Sequence, residues 1–257
     1  MSWIRSSKGI ALVVLFTVSL AAVGGAVAMS VTADGVPQES RVGESVNATI
    51  TIEDPFVNQP DQWTLQGSTE LRNVSWQVTI LQQGETVADK TYGKQQFSQQ
   101  LDAKNGGDTI RIHIQGDTPP IENFTFRPNE TYTLFDLDKK VGNNVEDINA
   151  SSVHHYTNKS KSARNAILEA KRTINETNAG QDARNLLNSS ISSYNSGNFP
   201  NAKKLANEAQ KKARQAEQSA QQTQMLLYGA IGIVVVALVA GGIYYWRSQQ
   251  DEYGKLQ

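Results

Sequence analysis

The sequence predicts an α+β multidomain protein: an antiparallel β-sandwich followed by a three-helix bundle continuous with a C-terminal transmembrane helix. Three observations carry that expectation. Short alternating apolar runs fill the first half, and the apolar period lengthens to that of a helix in the second. The stretch Met225 to Trp246 contains no charge, and about 20 apolar residues suffice to cross a bilayer. The implied segments are 1–33 (signal peptide or signal anchor), 37–140 (sandwich), 148–224 (helical stalk), 225–246 (membrane helix) and 247–257 (cytoplasmic tail).

The strands come first. Val46 to Ile52 alternates and stops at Glu53-Asp54-Pro55. In the run Val74 to Leu81, residues Val74, Trp76, Val78 and Ile80 share one face, and Gln82-Gln83-Gly84 breaks the chain before Thr86-Val87-Ala88. Ile110, Ile112 and Ile114 point one way while Arg111 and His113 point the other. Phe124 to Phe126 and Thr131 to Phe135 supply the last predicted strands. Several short strands between turn signals in about 100 residues indicate a sandwich, with Trp76 as a core anchor.

On Val42-Gly43-Glu44-Ser45-Val46, Asp54-Pro55, the Val74-Ser75-Trp76-Gln77-Val78 strand and Gly116-Asp117-Thr118-Pro119-Pro120, this stretch resembles the immunoglobulin-like β-sandwich modules of microbial, particularly archaeal, cell surfaces. The resemblance covers about 100 residues and implies a spacer or binding surface. The chain has no cysteine, so the paired cysteines of antibody domains are absent and no specific family follows.

Beyond Ile148 the pattern changes. Val153, Tyr156, Ser160, Ala163, Ile167, Ala170 and Ile174 form one helical stripe, stopped by Asn178-Ala179-Gly180. Ala183, Leu187, Ile191 and Tyr194 form a second, ending at Ser196 to Pro200. Ala202, Ala206, Ala209, Ala213, Ala216 and Ala220 then make a seam that lets helices approach closely. Ile191 to Ala206, with Tyr194, Gly197, Phe199 and Ala202, is similar to half of a tetratricopeptide-type helix pair. A peptide-binding solenoid needs about three such units, so the segment is expected to be a stalk.

Topology follows from the two apolar runs. Gly9 to Met29, behind Arg5 and Lys8, reads as a signal peptide or an uncleaved signal anchor. Tyr244, Tyr245, Trp246 and Arg247 read as membrane-interface residues. The expected localisation is therefore the plasma membrane, single-pass (two-pass if the signal is uncleaved), with the bulk extracytoplasmic and the lipid bilayer as a partner. Lys203, Lys204, Lys211, Lys212 and Arg214 before the second run oppose this orientation, because basic flanks favour the cytoplasm.

Charge is divided as the pattern is. Asp34 to Asp147 carries 18 acids and 9 bases, whereas Tyr156 to Ala216 carries 11 bases and 4 acids. With a formal net charge of −1, no field favours nucleic acid. Eight Asn-x-Ser/Thr sequons lie between the apolar runs, at Asn47, Asn73, Asn123, Asn129, Asn149, Asn158, Asn175 and Asn188. They are candidate N-glycosylation sites on a cell-surface glycoprotein.

Recognisable catalytic chemistry is lacking. His113 reads as a solvent-facing strand residue, and the adjacent His154 and His155 cannot share a metal in the i, i+4 manner. Asp136-Leu137-Asp138 starts like a calcium loop, but Lys140 and Val141 occupy the next ligand and glycine positions. No phosphate loop, nucleophile elbow or HExxH motif occurs. The expectation is a non-enzyme without catalytic, cofactor or metal residues: a structural or interaction protein displaying a sandwich on a stalk, with a protein partner or self-association. The alternative is an accessory subunit of an envelope transport, secretion or assembly complex.

Overall fold

The structure, a computed structural model, describes residues 28–177 and 179–250. Ten strands form two five-stranded sheets with one core between them. They are β1 (Ser30–Asp34), β2 (Glu39–Arg41), β3 (Ser45–Glu53), β4 (Gln62–Ser68), β5 (Arg72–Gln82), β6 (Glu85–Tyr92), β7 (Gln96–Asp102), β8 (Thr109–Asp117), β9 (Thr131–Val141) and β10 (Asn144–Tyr156). A short 3-10 turn, Ala103–Asn105, lies between β7 and β8. The first sheet has the order β1-β3-β8-β5-β6 and the second β2-β10-β9-β4-β7. Alternation sets the core: Ile50 and Ile52 of β3, Trp76 and Val78 of β5, and Ile110, Ile112 and Ile114 of β8 are buried against Trp63, Leu65, Phe97, Leu134, Phe135 and Leu137 of the second sheet.

Three helices follow: α1 (Asn158–Glu176), α2 (Gln181–Asn195) and α3 (Phe199–Gln250). Helix α1 starts where Thr157 and Ser160 exchange side-chain and backbone hydrogen bonds, satisfying two N–H groups that a helix start leaves open. The three helices share a second core in which Ala163, Ile167, Ala170 and Ile174 face Ala183, Tyr194 and the seam Ala202, Ala206, Ala209 and Ala213. All four seam alanines are fully buried. Ala216, the next in the series, is exposed, so the packed part of α3 ends near Ala213.

The fold class expected from sequence requires correction. The strands are not uniformly antiparallel: β2 runs parallel to β10, with Glu39 opposite His154, which makes the second sheet mixed. Residues 148–156, the start of the expected stalk, belong to strand β10, so Val153 and Tyr156 lie on a strand and the helix begins at Asn158. Phe124 to Phe126, expected as a strand, is a loop.

The expected C-terminal transmembrane helix is also overturned. Among the described residues no helix is long and apolar enough to cross a membrane. The plasma-membrane placement, single-pass or two-pass, rested on that span and is corrected with it. Of the expected interface residues, Tyr245 is exposed. The side chains of Tyr244, Trp246 and Arg247, and the expected signal segment through Val27, lie outside the described residues.

Candidate functional site

Functional side chains gather at the end of the sandwich that meets the helices. The β8–β9 loop brings Thr125, Phe126 and Glu130 there, α1 brings Arg164, and α2 brings Tyr194. Arg164 donates from Nη2 to Glu130 Oε2 at 2.7 Å and to the Thr125 carbonyl at 2.8 Å. From Nη1 it donates to the Phe126 carbonyl at 3.0 Å and to Asn129 Oδ1 at 2.9 Å. Its Nε donates to the Tyr194 hydroxyl at 3.3 Å. The Tyr194 hydroxyl in turn donates to Glu130 Oε1 at 3.0 Å, and the Thr125 N–H reaches the same oxygen at 3.1 Å.

Such an arrangement is a mechanical joint. Glu130 and Arg164 are both buried, and a buried ion pair is tolerated when its remaining hydrogen-bonding capacity is filled. Here it is filled: among the described residues no buried side-chain nitrogen or oxygen lacks a partner. The guanidinium also lies 5.0 Å from the Phe126 ring centre and 4.9 Å from that of Tyr194, within cation–π range. Burial raises the Tyr194 hydroxyl above its ordinary range, so it stays protonated as the donor to Glu130. Lys161 of α1 adds an outer tie by pairing with Glu39 of β2 and lying 4.1 Å from the Tyr156 ring centre.

Beside the joint opens a cleft of about 380 Å³. Its floor is His155 with Tyr132, and its rim carries Glu70, Arg72, Gln95 and the turn Pro119 to Asn123. His155 Nδ1 lies 3.2 Å from the Pro119 carbonyl, so this nitrogen carries the proton and donates. Burial holds the imidazole below the usual histidine range, which keeps the ring neutral and makes Nε2 an acceptor. Below the ring, Thr118 Oγ1 donates to Ser40 Oγ at 3.0 Å, and Ser40 shares a 3.0 Å hydrogen bond with the Tyr132 hydroxyl. His154, the neighbour, contacts the Glu130 carbonyl through Nδ1 at 2.7 Å. The adjacent histidines therefore serve opposite sides of Glu130: one braces the joint and the other faces the cleft.

A third cluster lies on the second sheet. Asp136, Asp138 and Asp147 offer carboxylate oxygens within 4.8 Å of one another, Asp147 standing opposite Asp138 in the β9–β10 ladder. Partial burial, followed by the charges of Asp136 and Asp147, raises the Asp138 carboxyl above its ordinary range. Spacing along the chain led to rejection of Asp136-Leu137-Asp138 as a calcium loop, and the loop geometry is indeed absent because these residues are on a strand. The cross-strand approach of Asp147 was invisible to that argument. Three carboxylates with one exposed member do not by themselves make a metal site.

The sequence-derived candidates scatter. His113 takes a 3.2 Å contact with Thr49 Oγ1 on the first sheet. Seven of the eight sequon asparagines are exposed, and Asn149 is half-buried. Two are already engaged: Asn73 Nδ2 donates to Asp117 at 2.8 Å, and Asn129 accepts from Arg164. Sequence reasoning missed Glu130, Arg164 and the cleft. One signal was available: Arg164 lies four residues after Ser160 and three before Ile167, a charge inside an otherwise buried stripe.

Comparison with known proteins adds little. No family model matches the chain, and no curated protein matches it. Among solved structures it is similar to the sporulation control protein Spo0M from Bacillus subtilis, at 15% identity, 58% of this chain, 56% of that one and a TM-score of 0.28. The chain thus spans little more than half of that protein. A conjugate transposon protein from Bacteroides vulgatus matches at 14% identity, 54% of this chain, 92% of the other and a TM-score of 0.31. The CARDB domain of a Pyrococcus furiosus protein, in complex with di-metal ions, matches at 10% identity, 50% and 88% coverage and a TM-score of 0.23. Likenesses this distant carry no argument about activity or ligand.

Proposed function

We propose that this chain is a structural or interaction protein, not an enzyme, that presents a β-sandwich in a fixed attitude on a helical stalk. The observation that carries this reading is the joint of Glu130, Arg164 and Tyr194. Its charges and hydroxyl are spent on one another, which suits holding two bodies in register and leaves no free acid–base pair there. The resemblance of the sandwich to immunoglobulin-like surface modules is in keeping with a displayed binding surface. Exposed sequons without a side-chain hydrogen bond, at Asn47, Asn123, Asn158, Asn175 and Asn188, are the favoured glycan acceptors.

One observation favours the second reading, an accessory subunit of a larger assembly. Ile233, Val236, Leu238 and Ile243 of α3 are each at least 60% exposed, an apolar surface of the kind that marks an interaction site. Affinity purification of the cross-linked full chain from its native cells, with partners identified by mass spectrometry, tests both. Recovery of the chain alone or as a homo-oligomer favours display, and a fixed set of other subunits favours the accessory role. A catalytic turnover by the purified chain would overturn both.

A further inference from the structure

We propose that the cleft floored by His155 binds a neutral saccharide; this rests on the reading of the chain as an interaction protein and names the ligand class of its cleft. His155 is 6% exposed, and its tautomer is fixed by the Pro119 carbonyl. Among the described residues Nε2 has no hydrogen-bond partner, yet it is not one of the fully buried unsatisfied atoms. His155 is among the residues that line this cleft, and the proposal takes its Nε2 as the acceptor offered there. A buried acceptor left open at the base of a cleft is a place for a donor from outside.

The rim says which kind of donor. Gln95 donates Nε2 to the Leu71 carbonyl at 2.9 Å, which leaves its Oε1 free to accept. Glu70 takes the Thr133 N–H with one oxygen and keeps the other. Glu122 makes no hydrogen bond or ion pair among the described residues, and the same holds for the Arg72 side chain. Four acceptors thus face one strong donor, Arg72. An anionic ligand would meet Glu70 and Glu122. A metal ion is disfavoured as well, because the acidic and histidine ligand atoms here do not converge as those of Asp136, Asp138 and Asp147 do. A pyranose supplies what is required: several O–H donors that can also accept from Arg72, on a C–H framework that packs on Pro119, Pro120 and Ile121. The volume of about 380 Å³ lies in the range of small-molecule sites.

The test uses the full chain, produced without glycosylation, with labelled histidine. Only three histidines are present, so the His155 Nε2 resonance can be followed directly. Glucose, N-acetylglucosamine and lactose are titrated separately to millimolar concentrations. The proposal expects at least one to shift the His155 resonance saturably while those of His113 and His154 stay in place. Arg72→Ala and Glu122→Gln, both at exposed rim positions, should each weaken binding about tenfold, the worth of one charge-assisted hydrogen bond. His155→Phe lacks the reporting resonance and is titrated by calorimetry instead; it should show no saturable binding, with unfolding followed to confirm that the variant is folded. If the unglycosylated chain is silent but the glycosylated chain shows the shifted resonance, and Asn123→Gln removes it, the saccharide is the chain's own glycan. No saturable shift in either form, or calorimetric binding of undiminished affinity in His155→Phe and Glu122→Gln, overturns the proposal. A partner recovered from cells by a chain that no saccharide titrates would leave the interaction reading standing while this one falls.

Discussion

The sandwich and the helices are built on opposite principles. The sandwich fills its core with volume: Trp76, Phe135, Leu134, Leu137 and the isoleucines of β3 and β8 are fully buried between the sheets. The helices remove volume, so that Ala202, Ala206, Ala209 and Ala213 bring α3 against its neighbours. A large side chain in the sandwich stabilises through area buried, whereas one in the seam would push helices apart. Between the two lies a third kind of contact, the buried charge pair, which tolerates neither removal of a partner nor displacement. The difference teaches that each region has its own characteristic failure.

Breaking the joint should have the largest effect. Arg164→Met leaves Glu130 buried without its cation, and an uncompensated buried charge costs about 3–5 kcal/mol. Urea unfolding of the variant should show that loss, and Glu130→Gln together with Arg164→Met should recover part of it. In the seam, Ala209→Leu should cost about 1–3 kcal/mol by overpacking. The same change at exposed Ala216 should stay within about 0.5 kcal/mol. In the sandwich the equivalent tight spot is Gly67, where an added Cβ would stand 2.1 Å from Phe97 Cε1. Gly67→Ala should therefore lower the thermal midpoint although alanine is the smallest replacement.

The smallest effect is the dependence on pH. Burial lowers the His155 pKa in the folded chain, so the unfolded chain takes up the proton first. The stabilisation from a neutral His155 is complete above the unfolded value of about 6.5 and declines as pH falls toward the lowered folded value. Urea midpoints measured across that window should fall more steeply for the native chain than for His155→Gln.

Much of this architecture was legible because the contacts are periodic. The alternation in β3, β5 and β8 placed Val46, Ile50, Trp76, Val78 and the three isoleucines correctly inward. The seam Ala202 to Ala213 was likewise visible from spacing alone. Strand β10 was not, because bulges between Asp147 and Asn149 and between Ser151 and Ser152 shift its alternation twice. Strands β4 and β7 hid because Gly67 and Gln99 stand at inward positions where a large apolar residue is expected. The joint was illegible for another reason. Glu130 and Arg164 are 34 residues apart, and no spacing rule links them. Only the fold brings them together.

Spin labels placed on both sides of the joint measure its central role most directly. The chain has no cysteine, so Thr91→Cys on the sandwich and Asn175→Cys on α1, both exposed, give a clean pair. Pulsed dipolar spectroscopy should return one narrow distance distribution that broadens when Arg164→Met is added. A broad distribution in the otherwise native chain would contradict the account, because the sandwich would then swing freely against the helices.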